Sequence, residues 1–433
     1  MQTQQGHRLD FDSSNPLSHQ SVKFFCYLLF GFVVPLLIWF AARFESFEGR
    51  YLANTIIAAI IACLTSWYAL NRLRLYAKAR QLSYVVPVSL LTFGLSFGVL
   101  GILRVPFSVS LFSVCFIGTV TTAYVLTALT RLGNRPQYIV PGGHVSEIPA
   151  RHNQVHVDSI ESLEAIIAQD NMRGSVVGDL HHDHSPEWER LFAAAALNGI
   201  PVYHYRQIRE LETGQVRIDR LSENVLGSLI PNLPYMALKR AIDVVSALLL
   251  LPILVPLMLV MALMIRLDSK GPALFIQERM GFRGEIFRMV KFRTMHLRTA
   301  DDDSHADREA SITRDDDARI TRIGRYLRKV RLDELPQIWN IFKGEMSWIG
   351  PRPEATSLSE WYENEIPFYS YRHIVRPGLT GWAQVNQGHV TDLDDVTAKL
   401  RYDFYYVKNI SHWLDMLIAL KTIRVVLGGL GAK

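Results

Sequence analysis

The stretch YLRKVRLDELPQIWNIFKGEMSWIGPRPE, Tyr326 to Glu354, decides how the rest of the chain is read. It sets two adjacent carboxylates, Asp333 and Glu334, behind the cations Arg328, Lys329 and Arg331. Pro336 suits the first turn of a helix, where a missing N–H leaves nothing unsatisfied. Ile338, Trp339, Ile341 and Phe342 then supply a helix-like apolar pattern. The pair is therefore expected at a positive helix end, which favours anions and keeps an aspartate ionised. Gly344 stops the helix, and Pro351-Arg352-Pro353 holds one guanidinium on a stiff, extended segment. Carboxylates for a nucleophile and a metal, with arginines for phosphate oxygens, are what phosphoryl transfer needs. Alone, an Asp-Glu pair reads as a helix cap and Pro-Arg-Pro as a turn, so other motifs have to agree before chemistry is assigned.

Working outward, a chain of 433 residues is long enough for two or three domains. Its 49% hydrophobic content comes from clustered apolar runs, the pattern of a membrane protein with soluble parts. The net charge of +5 suits an anionic membrane face. No basic stripe is interleaved with aromatics, so nucleic acid is not an expected partner. Cys26, Cys63 and Cys115 each lie in an apolar run without metal-type spacing, which implies no disulfide framework.

Residues 1–21 form a polar tail with no cleavage site after an apolar core, so the first apolar run is read as a retained anchor. Four runs occupy residues 22–132: Phe24–Ala42, Ala53–Leu70, Val85–Leu103 and Val105–Leu129, each near the length of a bilayer-crossing helix. Arg72, Arg74, Lys78 and Arg80 follow the second run, whereas only Arg104 separates the third from the fourth. The positive-inside rule makes the basic loop cytoplasmic, and with it both ends of the unit. The unit reads as an anchor or dimerisation module, since no buried charge marks a transport path.

Residues 135–225 change to an α/β composition. Strands at Tyr138-Ile139-Val140, Ser175-Val176-Val177 and Pro201-Val202-Tyr203 alternate with helices at Ser159–Ala168 and Glu187–Asn198, which predicts a small parallel sheet. No G-x-G-x-x-G follows the first strand, so a dinucleotide site is not expected. His181-His182-Asp183-His184 has metal-binding residue types, but an exposed polar loop is the expectation.

The last part, residues 236–433, opens with the apolar run Val244–Ile265, broken by Pro252 and Pro256 and flanked by Lys239, Arg240, Arg266 and Lys270. A simple span would leave one basic flank outside, against the positive-inside rule. A helix over about 241–266 that enters one leaflet, bends at the prolines and returns avoids this. A fifth spanning helix with a proline kink fits the hydropathy equally well. Beyond it, Phe282, Ile286, Phe287, Met289 and Val290 lie among cations, as on a surface against anionic headgroups or on a solvated hairpin. Asp301–Asp303 and Asp315–Asp317 read as a solvated acidic loop. Trp361–His373 is aromatic enough for a lipid interface. Trp413–Leu427 reads as a surface-lying amphipathic helix or an ordinary packed one.

Several of these strings occur together: Phe275-x-Gln277-x-Arg279-x-Gly281, Lys291-Phe292-Arg293-Thr294-Met295, the Asp333-Glu334 dyad, Pro351-Arg352-Pro353 and Arg376-Pro377-Gly378-Leu379-Thr380-Gly381-Trp382. From about Lys239 onward the chain resembles the bacterial polyprenyl-phosphate sugar-1-phosphate transferases, large monotopic phosphoglycosyl transferases that prime exopolysaccharide, capsule and O-antigen synthesis. Residues 135–225 resemble the degenerate Rossmann-like module of the larger members, expected to be structural or regulatory. Asp317-Ala318-Arg319 departs from the family's Asp-Pro-Arg. The resemblance implies an α-helical transmembrane bundle, a small α/β module and a mainly α catalytic domain with a re-entrant membrane helix bent at Pro252 and Pro256. It implies a bacterial inner-membrane enzyme, catalytic on the cytoplasmic face, acting on a UDP-sugar and undecaprenyl phosphate with Mg²⁺ and in contact with membrane lipids. A homodimer is compatible with it. By the same resemblance Asp333 is the nucleophile, Glu334 (with Asp333) holds the metal, and Lys291, Arg328 and Arg352 contact phosphates. Two rivals stand beside this reading: direct transfer without a covalent intermediate, and a non-catalytic scaffold for polysaccharide assembly.

Overall fold

The computed structural model describes residues 20–42, 49–76, 81–131, 136–168, 174–218, 231–296, 319–387 and 393–427. The chain divides into two compact units, Met1–Thr213 and Gly214–Lys433.

The first unit opens with four apolar helices long enough to cross a membrane: α1 (Ser21–Ala42), α2 (Gly49–Leu73), α3 (Gln81–Ile102) and α4 (Val109–Arg131). They fall where hydropathy puts them, except that α4 starts at Val109 and not at Val105, beyond Pro106. In a bilayer every backbone group needs an internal partner, and α1 shows how one is supplied. Pro35 has no N–H for the carbonyl of Gly31, and the helix widens to a π turn over Leu29–Val33. The Thr119 hydroxyl on α4 donates to that carbonyl at 3.2 Å. Gly118 allows the approach, since a Cβ there would lie 2.3 Å from Pro35 Cγ. Buried hydroxyls of Tyr27, Ser66 and Ser89 satisfy one another across the helices at 3.2 and 3.1 Å.

The same unit holds an all-parallel sheet of β1 (Gln137–Ile139), β2 (Gln154–His156), β3 (Ser175–Gly178) and β4 (Val202–His204), in the order β2-β1-β3-β4. Parallel pairing requires crossovers that cover the faces, and α5 (Ile160–Ile167), α6 (Pro186–Leu197) and α7 (Tyr205–Thr213) follow β2, β3 and β4. Alternation divides the core: Val140, Val157, Leu163 and Val176 pack on one face, Ile139, Val177, Tyr203 and Ile208 on the other. The strand β2 was not expected. In the loop His181–His184, His181, His182 and Asp183 are exposed as expected, whereas His184 is half-buried with Nε2 2.9 Å from the Asp179 carbonyl.

The second unit is organised by α8 (Leu233–Asp268), 36 residues long. It starts well before the apolar run because Asn232 Oδ1 caps the Tyr235 N–H at 3.1 Å and Pro234 occupies the first turn. The helix runs through Pro252 and Pro256 without interruption. Its inner face is regular: Ala247, Leu251, Leu254 and Met258 pack with Ile338, Ile341 and Met346, while Met258, Met261 and Ile265 pack with Phe292 and Leu327. The opposite face is exposed, with Leu249 71%, Ile253 69% and Leu259 66% exposed. Both ends are tied down. Arg240 donates to the carbonyls of Ile341 and Phe342 at 2.6 and 2.8 Å, and Asp268 Oδ2 accepts from the Ile323 N–H at 3.2 Å.

After α8 come a hairpin of β5 (Leu274–Met280) and β6 (Ile286–Phe292), α9 (Arg322–Lys329), a 3₁₀ turn (Leu332–Gln337) and α10 (Ile338–Lys343). Then follow β7 (Ser347–Ile349), α11 (Thr356–Glu365), β8 (Gly378–Thr380), α12 (Leu393–Lys408) and α13 (His412–Leu427). Two segments with the character of a membrane surface turn part of their length inward. In Trp361–His373, Tyr362, Tyr369, Arg372 and His373 pack against protein, while Trp361, Phe368 and Tyr371 stay half-buried. Leu414, Leu417 and Ile418 are fully buried, which makes the first half of α13 an ordinary packed helix. The acidic tracts Asp301–Asp303 and Asp315–Asp317 lie outside the described residues.

Candidate active site

Asp333 and Glu334 sit in the first turn of the 3₁₀ segment, which runs directly into α10. Pro336 lies inside that 3₁₀ turn, so the helix proper starts later than the sequence suggests. Entry into the turn is strained: Arg331 adopts φ 55°, a left-handed conformation uncommon for a non-glycine residue. At the far end Gly344, φ 94°, closes α10 by giving its N–H to the carbonyls of Asn340 and Ile341.

Three neighbouring elements bring cations to the dyad. The strand β6 carries Lys291, whose ammonium lies 3.5 Å from Gln277 Oε1 and 5.4 Å over the Phe275 ring. Asn340, fully buried, fixes this strand to α10 by accepting from the Val290 N–H at 3.1 Å and donating to the Arg288 carbonyl at 2.7 Å. The helix α9 delivers Arg328, which donates to Thr294 Oγ1 at 2.8 Å. The Pro-Arg-Pro segment delivers Arg352, whose Nη2 donates to Glu334 Oε1 at 2.8 Å.

That segment is held by its carbonyls. Arg372 Nη2 donates to the Arg352 carbonyl at 2.9 Å, Arg279 Nη1 to that of Pro353 at 3.1 Å, and the Met280 N–H to that of Glu354 at 3.1 Å. Behind it lies a buried ionic group: Arg372 meets Asp403 at 2.9 Å and Glu354 at 3.9 Å, and Glu354 also pairs with Lys399. The glycines of the Arg-Pro-Gly-Leu-Thr-Gly motif serve close packing more than turning. A Cβ on Gly378 would lie 2.0 Å from the Gly350 nitrogen, and one on Gly381 2.1 Å from the Gly350 oxygen.

The electrostatics corrects one expectation. The Asp333 carboxyl is pushed up to about 6 by burial and by the Glu334 charge, which together outweigh Lys291, Arg328 and Arg352. The helix end does not hold it in the ordinary aspartate range. For Glu334, burial pushes the pKa up, but Arg352 at hydrogen-bond distance, with Arg331 and Lys291, brings it below the usual value. Burial lowers the Lys291 ammonium to about 8, helped by Arg279 and Arg352. Burial and Arg352 bring Arg279 down to about 10. The pair therefore separates into one carboxylate locked in an ion pair and one that titrates at about 6, well above an ordinary aspartate.

Lys291, Arg328 and Arg352 thus all act on Asp333, as the sequence reading grouped them. Arg279 and the Arg372–Asp403–Glu354–Lys399 group were not singled out. Arg279 had a signal in its motif, whereas the ionic group joins residues far apart in sequence and had none.

The sequence model of the family described as "Bacterial sugar transferase" matches residues 234–429. Over 412 residues the chain is 39% identical to the UDP-N-acetylgalactosamine-undecaprenyl-phosphate N-acetylgalactosaminephosphotransferase of Aeromonas hydrophila, covering 95% of each protein. The chain is a bacterial sugar transferase. Part of it is also similar to two others. It is 43% identical over 191 residues to the undecaprenyl-phosphate glucose phosphotransferase of Komagataeibacter xylinus, covering 43% of this chain and 35% of that protein. It is 42% identical over 199 residues to the UDP-glucose:undecaprenyl-phosphate glucose-1-phosphate transferase of Caulobacter vibrioides, covering 46% of this chain and 72% of that protein. It is therefore a phosphoglycosyl transferase and not a non-catalytic scaffold. This transferase resides in the bacterial inner membrane with its catalytic part on the cytoplasmic face.

Proposed function

We propose that the transferase moves a hexose- or N-acetylhexosamine-1-phosphate from a UDP-sugar to a polyprenyl phosphate, the priming step of surface-polysaccharide synthesis. What carries this reading is the pairing of Asp333 and Glu334 with Lys291, Arg328 and Arg352 in a chain related over nearly its full length to such an enzyme. Asp333 is the nucleophile. At neutral pH a carboxyl with a pKa of about 6 is mostly ionised, yet more basic than an ordinary aspartate. Its oxygen attacks the phosphorus that bears the sugar, the bond to the UMP oxygen breaks, and an aspartyl-phosphosugar forms. The phosphate of the polyprenyl acceptor then attacks the same phosphorus and returns the carboxylate. Arg328 and Arg352 offer paired donors to phosphate oxygens and Lys291 a single charge.

Mg²⁺ fits the donor set, because it takes one or two carboxylates together with substrate phosphates, and Glu334 with Asp333 would hold it. When bound, it offsets the negative charge gathered around the transferring phosphoryl group. We further propose that α8 is re-entrant: it enters one leaflet, bends at Pro252 and Pro256 and returns, its helical hydrogen bonding continuing on either side of the bend. Its first end is tied to α10 and its last end to α9, two elements of one soluble unit, while its outer face is apolar and exposed.

The test is the intact mass of the purified protein after incubation with a UDP-sugar and Mg²⁺ without lipid acceptor. A gain of one sugar phosphate, absent from Asp333→Asn, is the expected result, and its size separates hexose from N-acetylhexosamine. Release of UMP only after lipid is added, with no adduct at any time, would replace this reading with direct transfer.

A further inference from the structure

The parallel sheet has its topological switch point between β1 and β3, where the chain leaves β1 for one edge and returns to build the other. In open α/β sheets ligands bind in the crevice at the carboxyl ends of the strands flanking this point. Here that crevice gathers Asp179 just after β3, His181 in the loop beyond it, His204 at the end of β4 and His144 in the loop after β1. We propose that Asp179, His181 and His204 bind one divalent transition ion of the zinc class.

The ligand atoms of these residues lie within 4.8 Å of one another. Asp179 is buried and already oriented: the His144 N–H donates to Oδ2 at 3.0 Å and the His181 N–H to Oδ1 at 3.2 Å. His144 Nδ1 also lies 3.2 Å from Oδ2, the kind of outer partner that fixes a ligating carboxylate. Two imidazoles and one carboxylate favour zinc-class ions, whereas Mg²⁺ prefers an all-oxygen shell. Three protein ligands leave a fourth position for water.

Without an ion the histidines hold each other. The Arg206 N–H donates to His204 Nδ1 at 3.1 Å, which places the His204 proton on Nε2, and Nε2 lies 2.9 Å from His181 Nδ1. An ion replaces that internal hydrogen bond. The His204 proton moves from Nε2 to Nδ1, no net proton is lost, and the Arg206 N–H in the first turn of α7 gives up its acceptor. Ion binding therefore has a signature on a backbone amide that is not itself a ligand.

The experiment uses the full chain in detergent micelles, stripped with a chelator and titrated with Zn²⁺, with Co²⁺ as a coloured probe and Mg²⁺ as control. One equivalent of Zn²⁺ per chain is expected, weakened at least about tenfold in His181→Ala and in Asp179→Asn. His181 is exposed, so its removal does not threaten the fold. His156→Ala, on the edge strand β2, is expected to bind as the unaltered protein does. Zn²⁺ should also speed amide exchange in the first turn of α7, and not in His181→Ala. Equal Zn²⁺ affinity in His181→Ala, exchange in α7 that ignores Zn²⁺, or no stoichiometric binding would each overturn the proposal.

Discussion

Asp179 in the parallel-sheet module and Glu334 in the catalytic unit are both buried carboxylates, but they are satisfied by different means. Asp179 is surrounded by N–H groups and imidazoles, dipoles that orient it without cancelling its charge. Glu334 is neutralised by Arg352, and further cations stand around the dyad in Lys291, Arg328 and Arg279. The first arrangement keeps a negative site for a cation. The second leaves an excess of positive charge that suits a nucleotide diphosphate and a lipid phosphate, so a cation enters it only together with those phosphates. Burial alone does not tell what a carboxylate is for; the charge of its partners does.

The contrast is tested most severely at Asp333. Asp333→Asn should remove the mass adduct and lower turnover by about 10⁴-fold or more, the scale on which nucleophiles are lost. Arg372→Met would leave Asp403 and Glu354 without their shared cation in a buried site. A cost of about 3–5 kcal/mol is expected, read as a lower denaturant midpoint. Arg352→Lys retains the charge but not the forked donor set, so kcat/KM should fall about 100-fold while the fold survives.

The pH dependence of kcat/KM should be bell-shaped. Asp333 must be ionised, so the rate rises as pH passes about 6, and Lys291 must be protonated, so it falls as pH passes about 8. A profile flat from pH 5 to 7 would remove Asp333 from its role. The smallest effect belongs to the other module: Asp179→Asn trades a charged acceptor for a neutral one and should cost about 1–2 kcal/mol in thermal unfolding. Sugar transfer should be unaffected.

The sequence revealed the elements whose signal is local. The bundle helices are apolar stretches of bilayer length, and β1, β3 and β4 carry hydrophobic residues between turn signals. The strand β2 escaped because Gln154, Val155 and His156 form a short, largely exposed edge. The early start of α8 lies ahead of the apolar run, where its signal is confined to the cap Asn232 and to Pro234. The inner face of α8 could not be read either. An outer face as apolar as the inner one leaves no contrast for periodicity to show. At the catalytic site, residue types and motifs exposed the dyad and its cations, but not the pKa of Asp333. That value is set by burial, which the expected helix-end effect did not override.

The inner face of α8 also carries a constraint of phase. Ala247, Leu251, Leu254, Met258, Met261 and Ile265 recur at alternating steps of four and three, and this single seam seats both α10 and α9. Inserting one residue between Leu254 and Met258 would turn the second half of the seam by about 100° and advance it by about 1.5 Å. Arg328, on α9, would then lose its alignment with Asp333, on the turn before α10, although neither residue had been altered. An insertion of seven residues would nearly restore the angle but would carry the α9 seat about 10 Å along the axis away from the α10 seat. The number of residues between the two seats on this apolar helix is therefore coupled to the geometry of the active site, and neither a single residue nor a whole repeat of the seam can be added there without displacing it.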